Sequence, residues 1–573
     1  MSDYINRMKK IWKKLYDKDE DKLEIFLEYL KAEKEKYKPY FNEEREEWFK
    51  DAVIYSLYVD LFNNDISGLN EKLDYLQKFG INCIWLLPVL DSPMKDAGFD
   101  ISDYKKIRET LLGNENEDIF DVFLEEAHKR DIRVIFDIAL NHCSTEHEWF
   151  KKAVDDEKGK YHDYFIWSDT TEKYKEARII FKGLCKSNWE WEPKVGKYYF
   201  HRFFEMQPDL NYRNPELLIE MSKVLIYWKL KHLDGFRADA IPYIWKEEGT
   251  ICENLEKTHD VVKFFRAILD YIDPGTLLLA EACQPPKKVV EYFGEGDECN
   301  GAYHFPVMPR IYRSLAEQSS ESIKKIMSPE VTPSQIPEDS QWFMFLRCHD
   351  ELTLEMVTTQ EREFIFDYYA QDPSWSFRNG EGISARLATL FGENEKLIKL
   401  AYSIMFTLTG TPIIFYGDEF AKTNDVDFYN EQVKETGIKD SRYLVRGRVN
   451  WPEVENKLDD SESLSYKIFS FLKNAIEVRK NEKTFGNGDL KFLDIKDENG
   501  VEIKKILAYD RIYNDEIITV IQNLSDKKLS FKTPFEVKAE FDLLGSAIKK
   551  EKGLENNLVI IEPFDFYWIK NNM

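Results

Sequence analysis

From residue 53 onward the chain repeats one pattern eight times: a short apolar run of strand character, then a helical stretch. The runs are 53–58 (VIYSLY), 81–87 (INCIWLL), 133–138 (RVIFDI), 235–238 (GFRA), 277–280 (LLLA), 301–304 (GAYH), 343–347 (FMFLR) and 413–416 (IIFY). Strands that alternate with helices pair in parallel, and eight such units predict a closed (β/α)8 TIM barrel over residues 49–484. The interval after the third run is far longer than the others, which predicts a subdomain inserted at 143–210. Beyond residue 485 the pattern changes. Ile506 to Ile521 and Leu558 to Ile569 are β-branched and aromatic, and Phe564, Phe566 and Trp568 alternate with other residues, so 485–573 is expected to form an antiparallel β-sandwich. Ahead of the barrel, residues 1–48 are dense in Lys and Glu. There Ile5, Met8, Ile11, Trp12 and Leu15, then Leu23, Phe26, Leu27 and Leu30, recur at helical spacing, which predicts an extension of two amphipathic helices.

Charge and patterning exclude several classes of function. The balance of 80 basic against 105 acidic residues, −25 net, leaves no basic face for a nucleic acid. The N-terminal stretch carries charges throughout and has no apolar core of a signal peptide. The longest uncharged run, Leu400 to Gly417, is split by Gly410 and Pro412 and reads as a buried helix, a turn and a strand, not a membrane span. The cysteines, at positions 83, 143, 185, 252, 283, 299 and 348, form no C-x-x-C pair and are odd in number, as expected of reduced thiols in a cytoplasmic protein. With 39 Phe, 31 Tyr and 13 Trp, the chain has many flat rings on which the C–H faces of a sugar can pack.

In such a barrel the working residues sit where strands end at the C-terminal face. The third run ends in Asp137-Ile-Ala-Leu-Asn141-His142, the fourth in Arg237-Ala-Asp239 and the fifth in Glu281. The seventh ends in His349-Asp350-Glu351, the eighth in Gly417-Asp418-Glu419, and Gly98-Phe99-Asp100 follows the second. Any one of these residues alone is more simply a cap, a solvated loop charge or a structural histidine. Their convergence on one mouth is not. The set has no Ser or Cys with a positioned His, no phosphate-binding glycine loop and no metal-ligand spacing. Three carboxylates with two histidines and an arginine suit cleavage of a glycosidic bond, in which one carboxylate attacks the anomeric carbon and another protonates the leaving oxygen. Arg237 shares a strand face with Asp239 and should keep that carboxylate ionised, whereas desolvation should raise the pKa of Glu281 and suit it to an acid role.

DIALNH (137–142), GFRADA (235–240), LLLAEA (277–282) and FLRCHD (345–350) resemble, in order, the four signature regions of the α-amylase superfamily, glycoside hydrolase family 13. QPDLN (207–211) resembles a fifth region, and GFDISDY (98–104) a further family stretch. The resemblance implies that Asp239 is the nucleophile, Glu281 the acid/base and Asp350 the transition-state stabiliser. It also implies that Phe99, Asp100, His142, Arg237 and His349 hold the glucose ring, with Phe99 in place of a stacking tyrosine. Arg446, in a stretch (446–451) that resembles R-T-P-M-Q-W, is then expected to pair with Asp100 at the pocket floor.

Within the superfamily, EARIIF (176–181), SNWEWEP (187–193), YYFHRFFEMQPDLNYRNP (198–215), GTICENLEKTH (249–259), HFPVMPR (304–310) and HDELTLEMVT (349–358) are similar to the trehalose synthase branch, whose members interconvert maltose and trehalose. That similarity implies a small disaccharide as substrate and no organic cofactor. An amylosucrase-like transfer from sucrose and an α-glucosidase remain the alternatives, suggested by the N-terminal helices and the short DLFNNDISGL loop; a non-catalytic assembly subunit would lack the full carboxylate set. By the same resemblance, calcium in related enzymes is held by oxygens matching Asn141, Asp209 and the backbone around Tyr243 and Ile244. A glutamate there corresponds to Lys246, so no metal is expected, and the lysine ammonium is expected to reach Asp209.

Overall fold

The computed structural model describes residues 2–37, 47–333, 335–497, 500–534, 537–551 and 558–571. Residues 38–46 of the expected N-terminal extension lie outside them. Eight parallel strands close into a barrel: β1 (Ile54–Leu57), β2 (Cys83–Leu86), β3 (Arg133–Ala139), β4 (Gly235–Asp239), β5 (Leu277–Ala280), β6 (Gly301–Tyr303), β7 (Gln341–Phe345) and β8 (Thr411–Phe415). Each strand pairs with its sequence neighbour, and β8 returns to β1 through Ile54 opposite Ile413. The strands are buried almost throughout because helices cover the outside and side chains fill the inside. The barrel is therefore a packed core, and its chemistry belongs to the loops at one end.

Between β3 and β4 the inserted residues form a small antiparallel sheet, with Lys197–Phe200 between Trp167–Ser168 and Trp189–Glu192. An isolated bridge from His142 to Asp209 ties the end of this insertion to the chain just beyond β3, and one from Phe165 to Leu210 closes the insertion on itself. The C-terminal strands make two antiparallel sheets, of four and three strands. They enclose one apolar core that includes Ile506, Ile521, Val559, Ile561 and Ile569.

Helices α1 (Ser2–Tyr16) and α2 (Glu20–Lys36) bury the expected apolar positions Met8, Ile11, Trp12, Leu15, Leu23, Phe26, Leu27 and Leu30. They lie against the outer barrel helices α3 (Pro215–Leu230) and α4 (Glu256–Ile272), with Trp12 and Phe26 both flanking Phe264. No helix among the described residues is long and apolar enough to cross a membrane.

Candidate active site

Register places the first part of the site. Asp137 on β3 stands opposite Arg237 on β4, and Ala139 opposite Asp239, so two-residue alternation turns Asp137, Arg237 and Asp239 to the same side of the sheet. Arg237 is almost fully buried, and its guanidinium serves three carboxylates. Nη1 donates to Asp137 Oδ1 (2.6 Å) and to Asp239 Oδ1, while Nη2 lies 2.7 Å from Glu281 Oε1. Trp85 Nε1 donates to the remaining oxygen of Asp137 (2.9 Å). Glu281 Oε2 accepts the backbone N–H of Ala240 (3.0 Å). Ala240 adopts φ 56°, a left-handed conformation costly for a residue with a Cβ, immediately after Asp239.

One guanidinium cannot neutralise three carboxyls. Burial pushes Asp239 up to about 6 and Glu281 up to about 7, and Arg237 offsets only part of that cost. Asp137 is likewise pushed up to about 7 by burial. Asp350 behaves oppositely. Burial opposes its charge, but His349, Arg442 and Arg446 surround it and hold its carboxyl well below the usual range. Arg442 Nη1 and Arg446 Nη2 both donate to Asp350 Oδ1, at 3.1 and 3.0 Å, and His349 Nε2 lies 3.0 Å from Oδ2. The adjacent Glu351 is pushed up to about 7 by burial and by that neighbouring charge. The mouth thus holds carboxyls poised near neutrality, Asp239 and Glu281 among them, beside Asp350, which stays ionised.

Around them, Phe99 stacks on His349 with ring centroids 5.5 Å apart. The Gln207 amide lies 3.3 Å from His142 Nε2 and donates to Asp96 Oδ2 at 3.0 Å. Burial pushes both His142 and His349 below the usual histidine range. Phe99, His142, Arg237, Asp239, Glu281, His349 and Asp350 all line one pocket.

Asp100 and Arg446 depart from expectation. The Asp100 carboxyl is used up within its own loop, accepting from Ser92 Oγ (2.9 Å) and from the N–H groups of Lys95 (3.0 Å) and Asp96 (3.1 Å). Arg446 instead donates to the carbonyl of His349 (2.7 Å) and to Asp350, so it braces the seventh-strand carboxylate rather than Asp100. The acid that faces the pocket from this loop is Asp96, and the arginine is Arg442, joined at 3.4 Å. Both sit four residues before the position the motif drew attention to, just ahead of the stretches 98–104 and 446–451.

The pocket wall is supplied by distant segments. Phe181 and Phe203 come from the insertion, Tyr243 follows β4, and Glu355, Phe377 and Arg378 follow β7. Arg178 of the insertion donates to Glu355 Oε1 (2.6 Å), Glu253 Oε1 (2.9 Å) and the Tyr243 hydroxyl (3.3 Å). Arg378 donates to Glu355 Oε2 (3.3 Å), and Glu253 also accepts from Arg202 and, at 3.2 Å, from Gln284. The insertion and the loops after β4, β5 and β7 are cross-tied by charge-assisted hydrogen bonds at the rim.

Below the pocket, Lys246 Nζ lies 2.8 Å from Asp209 Oδ2 and 2.7 Å from Asn141 Oδ1, with the carbonyls of Leu210 and Ile244 at 3.4 Å. These oxygens suit a cation, but the ammonium takes the central position, so the residues present do not fit an added calcium.

The catalytic-domain family of α-amylases matches residues 50–365. This chain belongs to the α-amylase family. Trehalose synthase/amylase TreS of Mycobacterium tuberculosis is 37% identical over 559 residues, covering 91% of this chain and 90% of the relative. Trehalose synthase of Pimelobacter sp. is 35% identical over 565 residues, covering 92% and 96%. Among solved structures, the α-amylase from H. orenii superposes with a TM-score of 0.72 at 21% identity, covering 91% of this chain and 100% of that one. For this α-amylase family member, the structural neighbour speaks to the barrel and its appended sheets alone.

Proposed function

We propose that the chain is a trehalose synthase-like isomerase that interconverts maltose and trehalose through a covalent glucosyl-enzyme. The observation that carries this reading is the rim: the insertion is bolted to the β7 loop through Arg178, Glu253, Glu355 and Arg378 over a pocket that already holds the carboxylate set. The similarity to the trehalose synthases, extending over nine-tenths of the chain, points the same way.

In this mechanism Asp239 attacks the anomeric carbon while Glu281 gives its proton to the glycosidic oxygen, and the bond between them breaks. Arg237 favours the ionised form of Asp239 against part of the cost of its burial, and Asp350 stabilises the positive charge that develops on the ring. The freed glucose stays under the rim, turns, and presents its own anomeric hydroxyl; Glu281 removes that proton as the oxygen displaces Asp239. Exclusion of water separates isomerisation from hydrolysis. His142, His349 and Phe99 hold the ring, and Asp96 and Arg442 take the floor positions expected of Asp100 and Arg446. All cysteines are free thiols, which supports a cytoplasmic setting.

The test is product analysis with each disaccharide alone. With maltose, trehalose should appear faster than free glucose. Glucose release without trehalose would mark an α-glucosidase, and turnover of sucrose only would mark an amylosucrase-like transferase.

A further inference from the structure

Three consecutive residues at the end of β7 bring different donor types together inside the pocket. Cys348 Sγ, a His349 ring nitrogen and an Asp350 carboxylate oxygen all lie within 4.8 Å of one another. Their occupancy is what sets them apart. His349 is 2% exposed, yet neither ring nitrogen has a hydrogen-bond partner among the described residues, Nε2 making only the 3.0 Å approach to Asp350 Oδ2. Cys348 Sγ accepts one weak contact, from the Asp350 N–H at 3.4 Å, and retains other lone pairs. On Asp350 both arginines use Oδ1, while Oδ2 is turned toward His349. One thiol, one imidazole and one carboxylate oxygen therefore face a shared space that opens on the pocket.

We propose that this trio is an inhibitory site for a borderline or soft d-block cation such as zinc or copper(I), exclusive with the sugar. The donor set selects against hard ions, because sulfur and imidazole nitrogen prefer zinc and copper, whereas calcium and magnesium take oxygen. Three protein ligands with a fourth position open to the cavity is the arrangement of an accessible zinc site. Tetrahedral zinc needs donors roughly 3.5 Å apart, so side-chain rotations of about an ångström complete the site. Binding expels the Cys348 thiol proton to solvent and leaves a zinc thiolate, with no redox change. Arg442 and Arg446 oppose a nearby cation, as do Arg237 and Arg378, but six carboxyls, those of Asp96, Asp239, Glu281, Asp350, Glu351 and Glu355, line the cavity against three of these arginines. The metal occupies groups that the sugar ring needs, so it blocks turnover without touching the nucleophile.

Binding of the metal itself does not depend on which disaccharide is the substrate, and the test exploits that. Equilibrium dialysis of the whole chain with zinc alone should give one tight site, and cobalt(II) in its place should give a thiolate-to-metal absorption band. Cys348→Ser should weaken zinc at least tenfold and abolish the band. Cys283→Ser, which removes another pocket thiol, should change neither. In steady state zinc should compete with whichever disaccharide is turned over, raising KM with little change in kcat. Zinc affinity unchanged in Cys348→Ser, a cobalt band lost equally in Cys283→Ser, or inhibition that saturating substrate fails to relieve would each overturn the assignment. A wild-type chain that binds cobalt without a thiolate band would overturn it without recourse to any variant.

Discussion

Asp239 has to be ionised to attack carbon, yet it sits in a buried cluster where ionisation is costly. Its carboxyl is pushed up to about 6 against an ordinary value of 3.8, and its partner Glu281 is pushed up to about 7. The two share Arg237 and titrate as a pair, so kcat/KM should rise with an apparent pKa near 6 and fall near 7; a profile flat from pH 5 to 9 would contradict the pairing. A stability consequence follows with a definite sign. Because the folded pKa lies above the unfolded one, the penalty on the charged form is absent below about pH 4 and complete above the folded pKa. Asp239→Asn removes that penalty, so at pH 8 it should abolish turnover while stabilising the fold by on the order of 1–3 kcal/mol, a gain that vanishes at pH 4. Thermal unfolding of both proteins at the two pH values measures it. Lys246 is the converse case, a buried cation whose loss strands a buried anion. Lys246→Ala should destabilise by roughly 3–5 kcal/mol through the uncompensated Asp209, whereas a chelator should leave the parent enzyme's activity intact. Loss of activity on chelation that calcium restores would defeat the lysine assignment. Residue identity was readable in the sequence for most of the cluster because each group ends a strand. The expected pairing of Asp100 with Arg446 does not form because a motif carries no account of its own loop, and the Asp100 carboxyl is satisfied there by Ser92 and two backbone N–H groups.

At the scale of elements, the barrel strands were legible because burial on both faces leaves continuous apolar runs bounded by polar loops. The end of β7 was placed two residues late for a physical reason. Leu346 and Arg347 beyond it are as buried as the strand itself, so the pattern does not mark where pairing stops. The start of β8 was placed late because Gly410 and Pro412 look like a turn, although Pro412 is paired within the strand opposite Met344. The rim was not legible at all. Arg178 and Glu355 are 177 positions apart, and no periodicity records which charge meets which across such a distance. That rim makes a prediction about partition rather than stability. Glu253 is buried and Glu355 largely so, but each keeps a second arginine, Arg202 and Arg378, so loss of the half-buried Arg178 strands neither charge. Arg178→Ala should leave the unfolding temperature within a degree or two and raise the ratio of glucose to trehalose formed from maltose several-fold, as water gains access to the glucosyl-enzyme. An unchanged ratio would mean that the rim does not control water.

For the whole molecule, the N-terminal hairpin poses the sharpest question of what belongs to stability and what to chemistry. It bears on the barrel through α4, with Lys14 on Asp260 at 3.0 Å and Arg7 on Asp270 at 3.2 Å, and through the segment ahead of α3, where the Tyr16 hydroxyl donates to the Tyr212 carbonyl at 2.9 Å. Its apolar face buries three aromatic rings, Trp12, Tyr16 and Phe26, and six aliphatic or sulfur-containing side chains, Met8, Ile11, Leu15, Leu23, Leu27 and Leu30. Each is worth roughly 1.5–3 kcal/mol of burial. None of these residues lines the pocket, whose groups come from the barrel strands, such as Trp85, Arg237, Asp239 and Tyr303, and from the loops that follow them. Two outcomes can therefore be separated by one truncation. Removing residues 1–37 exposes Phe264 and leaves Asp260 and Asp270 without their hairpin cations, so the unfolding temperature should fall by several degrees or more. The fraction of maltose converted to trehalose rather than glucose should stay as it is in the full chain, measured below the lowered unfolding temperature. A change in that partition without loss of fold would show that α4 transmits the hairpin's position to Glu253, three residues before its first turn, and through Glu253 to Arg178 at the rim.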